Sequence, residues 1–204
     1  MSNNKKTYKK KLIFQLNLLY RNYFKRLFDI IFSFIFLIIL TPLMLVIAFL
    51  IRVKLGHPVI FKQKRPGKNE KIFEMYKFRS MTDEKDKYGN LLPDEKRLTS
   101  FGKKLRESSL DELPELFNIL KGDMSFVGPR PQLVQDMLFM TPKQRQRHQV
   151  MPGLSGLAQI NGRNEISWEE KLAWDLKYIQ HISFRMDIVI LLNTTKKVLL
   201  KENI

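Results

Sequence analysis

The sequence predicts a predominantly helical α+β protein that combines a re-entrant membrane helix–break–helix hairpin with a small cytosolic domain. Three observations lead to this fold class: an apolar stretch that contains Pro42, basic segments on both sides of it, and a hairpin-and-helix pattern in the rest of the 204 residues. The predicted parts are a basic amphipathic arm over 1–26, a membrane segment over 27–51 and a cytosolic domain over 52–204.

The composition is strongly basic and lacks cysteine. The chain has 36 Lys and Arg against 20 Asp and Glu, a formal net charge of +16. Such a balance favours polyanionic partners: nucleic acid, anionic lipid headgroups or phosphorylated substrates. The absence of cysteine excludes disulfides, thiolate catalysis and cysteine zinc sites. With three histidines, a His-rich metal site or a Ser-His-Asp triad has little support.

The N-terminal arm alternates lysines with apolar side chains in "KKKLIFQLNLLYRNYFKRLF". This pattern is typical of an amphipathic helix that lies on anionic membrane lipids. A solvated tail is the alternative, and the apolar content argues against it.

The apolar stretch runs over 30–51 without a charged residue. Its 22 residues would form a helix of about 33 Å, enough to cross a hydrocarbon core of about 30 Å. A buried core helix is the alternative that this length and composition disfavour.

Basic residues flank this stretch on both sides. No acid occurs over 1–26, and none separates Arg52 from Lys68. Because basic flanks prefer the cytoplasm, a single span would place one of them on the wrong side. Pro42 removes a helical hydrogen bond, and the Thr41 hydroxyl can bond back to a carbonyl and help repair the loss. We therefore favour a hairpin broken at Thr41–Pro42 over a kinked transmembrane helix.

The remaining residues have the pattern of a folded domain. A hairpin is predicted from a strand at 59–61, a turn at 66–69 and a returning strand over 72–78. A mostly helical region is predicted over 99–121, with Gly122 as its C-cap. "PGLSGLAQINGRN" predicts an ordered loop, and Ser167 and Glu170 have the spacing of a capping box.

The adjacent carboxylates Asp111 and Glu112 precede Pro114. Proline favours the first turn of a helix, so the pair is expected near a helix N-terminus, where the partial positive charge keeps carboxylates ionised and attracts phosphate. Ordinary capping by acids of a first turn is the alternative reading.

Several basic side chains could bind an anion. Arg106 precedes the acidic pair, and Arg130 stands between two prolines in "GPRP", which suits bidentate anion binding. Lys77 and Arg79 share one face of a predicted strand, and Arg163 lies in a predicted loop. A solvated strand face is the alternative for the strand pair. No Walker or GxGxxG motif is present.

Together these segments resemble the bacterial sugar transferase family, the small monotopic polyprenol-phosphate phosphoglycosyl transferases. The similarity rests on "FDIIFSFIFLIILTPLMLVIAFLIRVKLGHPVIFKQKRPG", "YKFRSM", "LRESSLDELPELFNILKGDMSFVGPRP" and "MPGLSGLAQINGRN". It covers about 28–164, and residues 1–26 lie outside it. The family has a re-entrant helix broken at Ser-Pro with both ends cytoplasmic; here the pair is Thr41–Pro42.

The resemblance implies transfer of a phosphosugar from a UDP-sugar to a polyprenol phosphate such as undecaprenyl phosphate, with release of UMP. The product would start a surface glycan such as lipopolysaccharide, capsule or exopolysaccharide. Asp111 would be the nucleophile of a covalent intermediate, and Glu112, with Asp111, would hold Mg²⁺. Arg106 and Arg130 would contact the donor, with Lys77, Arg79 and Arg163 as further substrate-binding residues.

The implied location is the cytoplasmic face of the bacterial inner membrane, and an apolar tail permits a homodimer. Two alternatives lack catalysis. A nucleic-acid binder leaves the acidic pair and "GPRP" without a role, so we expect no nucleic-acid partner. A membrane scaffold that recruits other glycan enzymes is compatible with catalysis.

Overall fold

The computed structural model describes residues 14–162 and 165–200. Among these, helices far outnumber strands, which confirms a predominantly helical α+β protein. Arg163, one of the predicted binding residues, and the first half of the predicted N-terminal arm (1–13) lie outside the described residues.

A single long helix dominates the N-terminal part. The chain is helical over Phe14–Lys54, with a π-helical turn at Tyr20–Phe24 followed by α1 (Lys25–Lys54). This helix is long and apolar enough to cross a membrane, and only 17% of its most apolar 18-residue window is buried. A helix from the core of a soluble protein would be mostly covered, so the core-helix alternative is disfavoured.

The helix continues through the predicted boundary between the arm and the membrane segment and through the predicted break at Thr41–Pro42. No interruption separates the arm from the membrane segment at 26/27, because the helical hydrogen bonds continue there. At the second position, Pro42 lies inside α1, and the Thr41 hydroxyl donates to the Leu37 carbonyl at 2.5 Å. The predicted back-bond is present, whereas the helix–break–helix hairpin is not confirmed and stays a prediction.

One face of α1 is buried along its whole length. The buried positions recur every three, four or seven residues, as expected for one side of an α-helix. They are Asp29, Ser33, Leu37, Met44, Ile47 and Ile51. The apolar members join side chains of the folded domain in the main hydrophobic core, while most of the other apolar side chains of α1 are exposed.

The predicted hairpin is confirmed. Strand β1 (Ile60–Pro66) pairs antiparallel with β2 (Ile72–Phe78), so that Ile60 lies opposite Phe78 and Pro66 opposite Ile72. The turn over 67–70 contains two residues with positive φ, Asn69 and Glu70. β1 is longer than the predicted strand and extends to the turn.

The region predicted as mostly helical over 99–121 consists of three short pieces. After α2 (Asp94–Arg97), they are α3 (Ser100–Glu107), a 3₁₀ turn (Leu110–Glu112) and α4 (Glu115–Lys121). Helix α3 ends before Ser109, whose φ of 56° is left-handed. Gly122, with φ 93°, caps α4 as predicted.

The C-terminal part is built from short elements and two longer helices. The described helices and strands are β3 (Ser125–Val127), α5 (Pro142–Arg145), β4 (Gly153–Ser155), α6 (Leu157–Ile160), α7 (Trp168–Gln180) and α8 (Phe184–Leu200). Two 3₁₀ segments, Val134–Phe139 and Gln146–Gln149, lie between β3 and β4. β3 and β4 pair in parallel. The segment predicted as an ordered loop therefore contains β4 and α6. The capping box of Ser167 and Glu170 is confirmed at the start of α7.

A second core ties the N-terminal helix to the C-terminal helices. Buried Asp187 of α8 accepts hydrogen bonds from the hydroxyls of Tyr20 and Tyr178, at 2.7 and 2.8 Å, and pairs with Lys25. Because the buried carboxylate has three donors, its desolvation is compensated, and the N-terminal helix is held to α8.

Candidate active site

The acidic pair lies in the 3₁₀ turn between α3 and α4. The left-handed backbone of Ser109 reverses the chain after α3, and Pro114 precedes the first turn of α4. Asp111 is 8% exposed and Glu112 is half-buried. The prediction that the pair lies close to a helix N-terminus is confirmed.

Two basic side chains hold Glu112. The Lys77 ammonium lies 2.6 Å from Glu112 Oε1, and the Arg130 guanidinium donates to the same oxygen. Lys77 also lies 3.2 Å from Oε1 of Glu115, which is 1% exposed. Glu115 was not predicted, although its position one turn after Glu112 could have indicated it.

Burial and charge separate the pKa values of these acids. Burial, with the Glu112 charge, raises the pKa of Asp111 to about 6. Burial opposes ionisation of Glu112, but Arg130 and Lys77 outweigh it and hold its pKa below the ordinary value. Burial and the Glu112 charge raise the pKa of Glu115. At neutral pH, Glu112 is ionised and Asp111 is mostly ionised.

Arg130 is positioned by a buried arginine that sequence reasoning missed. Arg147, 2% exposed, donates to the Arg130 carbonyl at 2.6 Å and to Asp175 Oδ2 at 2.9 Å. Arg65 of β1 donates to the Pro131 carbonyl at 3.3 Å. These contacts join residues distant in sequence, so no local pattern could indicate them.

The other predicted basic residues have different surroundings. Arg106 donates to Ser80 Oγ at 2.8 Å and faces the acidic pair. Arg79 is buried, donates to the carbonyls of His57 and Met81, and pairs with Asp83 at 2.8 Å. Its donors are thus used in the protein, and its binding of substrate stays a prediction.

A large basic cavity surrounds the acidic pair, with a volume of about 1000 Å³. Asp111 and Glu112 lie on its wall together with basic side chains from β1, β2, α2, α3, α7 and the connecting loops. The basic side chains are Arg65, Lys77, Arg79, Arg97, Lys103, Arg106, Arg130 and Lys171. A concave site of this size and charge suits an anionic ligand as large as a nucleotide sugar.

A smaller apolar cavity of about 300 Å³ adjoins the first one. Ser109, Glu112 and Gln159 line both cavities. Phe36 and Leu40 of α1 form another part of its wall, so it reaches from Glu112 to the long apolar helix.

The described residues provide a sparse set of metal ligands. Over 14–162 and 165–200, no group of three or more His, Cys, Asp or Glu side chains is placed to hold a metal ion. Asp111 and Glu112 alone are nevertheless compatible with Mg²⁺, which often binds through one or two carboxylates plus substrate phosphates and water.

Comparisons with known proteins agree with this site. The sequence profile described as bacterial sugar transferase matches residues 20–201. An uncharacterized sugar transferase, EpsL, of Bacillus subtilis is 52% identical over 180 residues, which cover 88% of this chain and 89% of that protein.

Two longer relatives have names that state an activity. A UDP-glucose:undecaprenyl-phosphate glucose-1-phosphate transferase of Klebsiella pneumoniae is 43% identical over 85% of this chain and 40% of its own length. An undecaprenyl-phosphate galactose phosphotransferase of Salmonella typhimurium is 36% identical over 88% of this chain and 41% of its own. This chain therefore spans about two fifths of either protein.

The matched region contains α1, the acidic pair, Lys77, Arg106 and Arg130. The profile covers most of the chain, and the EpsL alignment covers most of both proteins. This protein belongs to the bacterial sugar transferase family.

Proposed function

We propose that the protein is a phosphoglycosyl transferase that moves a phosphosugar from a UDP-sugar to a membrane polyprenol phosphate. The products are UMP and a polyprenyl-diphosphate sugar, the first membrane intermediate of a surface glycan. The observation that carries the proposal is buried Asp111 in the wall of a basic cavity, beside a Glu112 held by Lys77 and Arg130. The activities named for the relatives support it.

The reaction takes two displacements at one phosphorus. An Asp111 carboxylate oxygen attacks the phosphorus that carries the sugar, the bond from that phosphorus to the bridging oxygen breaks, and UMP leaves. A phosphate oxygen of the polyprenol phosphate then attacks the same phosphorus and releases the Asp111 carboxylate. Covalent catalysis thus divides one transfer between a soluble donor and a lipid acceptor into two steps.

The surroundings of Asp111 suit a nucleophile. Because burial raises its pKa to about 6, its carboxylate is more basic than that of an exposed aspartate but still mostly ionised at neutral pH. A carboxylate that attacks a diphosphate meets like-charge repulsion. Arg106 and Arg130 lie in the same cavity and reduce that repulsion through their positive charge.

Asp111 and Glu112 would hold Mg²⁺ together with the donor's phosphates. When bound, the ion would neutralise charge on the diphosphate. Lys77 and Arg130 keep Glu112 ionised and fix its side chain, so that its carboxylate is available beside the nucleophile.

We further propose that α1 enters the cytoplasmic face of the bacterial inner membrane and returns to it. Contacts at its two ends support this topology. Arg26 donates to the carbonyls of Ile119 and Leu120 at 2.6 and 2.8 Å, while Ile51 packs in the core cluster that contains Met75 of β2. Both flanks of the apolar stretch therefore contact one folded unit. The exposed apolar surface of α1 would face lipid.

Release of UMP tests the proposed reaction. The purified full chain is incubated with undecaprenyl phosphate, Mg²⁺ and each member of a panel of UDP-sugars. At least one UDP-sugar should yield UMP, and Asp111→Asn should lower the rate by roughly a thousandfold or more. Asp86→Asn, outside both cavities, is the matched control and should keep activity.

Two outcomes would contradict the proposal. Unchanged turnover by Asp111→Asn would exclude Asp111 as the nucleophile. No UMP from any UDP-sugar would favour a membrane-bound scaffold or binding protein instead. Mass spectrometry of the intact protein without acceptor should also detect an adduct with the mass of the phosphosugar.

A further inference from the structure

The apolar cavity is a cleft between the membrane helix, the acidic pair and the C-terminal helix. Its volume is about 300 Å³, and most of its lining is apolar. The apolar side chains come from α1, the start of α4, β3, β4, α6 and α8. They are Phe36, Leu40, Leu113, Leu116, Phe126, Leu154, Ile160 and Val198.

Two features of the cleft distinguish it from a packing defect. It adjoins the basic cavity, because Ser109, Glu112 and Gln159 line both. It also lies against Phe36 and Leu40 in the middle of the apolar stretch, where the surrounding surface of α1 is exposed. The cleft thus lies between Glu112, the neighbour of Asp111, and the part of the protein that is suited to lipid.

Helix α8 forms the outer wall of the cleft. Thr194, Lys197 and Val198 line it, so a positive charge lies at a wall that is otherwise mainly apolar. The same helix exposes Phe184, Ile188 and Leu192 at intervals of four residues, which gives it an apolar stripe for a membrane surface. An amphiphile with an anionic head and an apolar tail is complementary to this combination.

We propose that this cleft binds the first isoprene units of the polyprenol phosphate and directs its phosphate toward Asp111. The inference rests on the proposed function and adds the site of its lipid acceptor. A cavity of about 150 Å³ can hold benzene, which has six carbons, so 300 Å³ accommodates about two isoprene units of five carbons each. The remaining chain would continue along α1 into the bilayer.

Filling the cleft from α8 tests this assignment. Val198→Trp places a large side chain on the partly buried wall, and Leu192→Trp adds the same side chain on the exposed stripe of the same helix as the matched control. With UDP-sugar alone, both variants should release UMP and form the covalent adduct as the wild type does. With geranyl phosphate, Val198→Trp should lower kcat/KM for the acceptor roughly tenfold, as expected from the lost burial of about two methylene groups.

Acceptor length provides a second measurement that does not depend on the variant. With the wild type, kcat/KM should be much higher for a prenyl phosphate of two isoprene units than for one of a single unit. A third unit should raise kcat/KM by less. A two-unit prenyl phosphate with a diazirine on its first unit should crosslink to peptides that contain Phe36 or Val198. An equimolar detergent without phosphate should not compete with it.

The outcomes separate failure of this inference from failure of the proposed function. Normal adduct formation with an unchanged acceptor kcat/KM in Val198→Trp, or crosslinks confined to other peptides, would overturn the cleft assignment. Equal losses in adduct formation from UDP-sugar and in acceptor kcat/KM would also overturn it, because the effect would not be specific to the acceptor. Absence of the adduct in the wild type would instead overturn the proposed function.

Discussion

Asp111 is an acid held in surroundings that disfavour its charge. It is buried, it lies beside ionised Glu112, and the nearby cations only partly offset these effects. Ionising a carboxylate placed in this way costs free energy in the folded state. The same feature that makes it a suitable nucleophile should therefore make the folded protein less stable.

Removing the charge of Asp111 should stabilise the protein at neutral pH. A folded-state pKa of about 6, against an ordinary value of 3.8, corresponds to a cost of about 2 to 3 kcal/mol when the group is ionised. Because the folded pKa is raised, this cost is absent below pH 3.8, grows between pH 3.8 and 6, and is fully present above pH 6. We expect Asp111→Asn to raise Tm by roughly 5 °C at pH 7.5, with a difference that shrinks toward pH 4.

Thermal unfolding in detergent across this pH range measures the effect. Glu84→Gln is the matched control here, since Glu84 is exposed and lines neither cavity. A Tm difference for Asp111→Asn that is independent of pH would show that the buried charge is not its cause.

At the residue scale, the site was predictable where its residues form local patterns. Asp111 and Glu112 stood out as adjacent acids before Pro114, and Arg130 as an arginine between two prolines. Ordinary capping was the alternative reading of the acids, and only the family resemblance gave these residues roles. Arg147 and Asp175 could not be found, because they reach Arg130 only through the tertiary fold. The partners of Arg79 were equally hidden: it donates to the carbonyls of His57 and Met81, and its binding of substrate stays a prediction.

At the scale of elements, the end of α4 depends on a side chain from α1. Arg26 donates to the carbonyls of Ile119 and Leu120 in the last turn of α4, and the Ile119 carbonyl also accepts from the Gly122 amide at 3.1 Å. The positive charge also interacts favourably with the negative end of that helix. This contact fixes the start of the membrane helix on the domain that contains the acidic pair.

Arg26→Ala should therefore destabilise the protein. Loss of two hydrogen bonds from a charged donor predicts a fall of roughly 1 to 3 kcal/mol in the free energy of unfolding. Arg21→Ala, at an exposed position one turn earlier, is the control and should have little effect. Urea unfolding of both variants in the same detergent compares them, and equal stability would contradict a structural role for Arg26.

Elements were predictable where turn or capping residues mark them. The capping box before α7, Gly122 after α4 and the turn of the first hairpin all have such signals. β3 and β4 have three residues each, too few for an alternating pattern, and they pair across a long separation. The interruption at Ser109 depends on a left-handed backbone that serine does not specifically signal.

At the scale of the whole molecule, α1 and the folded domain form one packed unit. The two places that α1 contacts are themselves joined, because Asn118 of α4 accepts from the Tyr76 amide at 2.9 Å and donates to the Glu74 carbonyl at 2.7 Å. Arg26 binds the end of α4, and Ile51 packs in the core cluster with β2. A bilayer of about 30 Å cannot separate two segments that are hydrogen-bonded to each other.

Both flanks of the apolar stretch should accordingly be accessible from one side of the membrane. The sequence has no cysteine, so Lys5→Cys and Lys68→Cys each give a single reactive thiol. In inside-out membrane vesicles an impermeant maleimide should label both, and in right-side-out vesicles it should label neither. Leu45→Cys, on the exposed apolar side of α1, should react only after detergent is added. Labelling of positions 5 and 68 from opposite sides would establish a spanning helix. A spanning α1 would place its two ends on opposite sides of the bilayer. Arg26 and Ile51 could then not both contact the same domain.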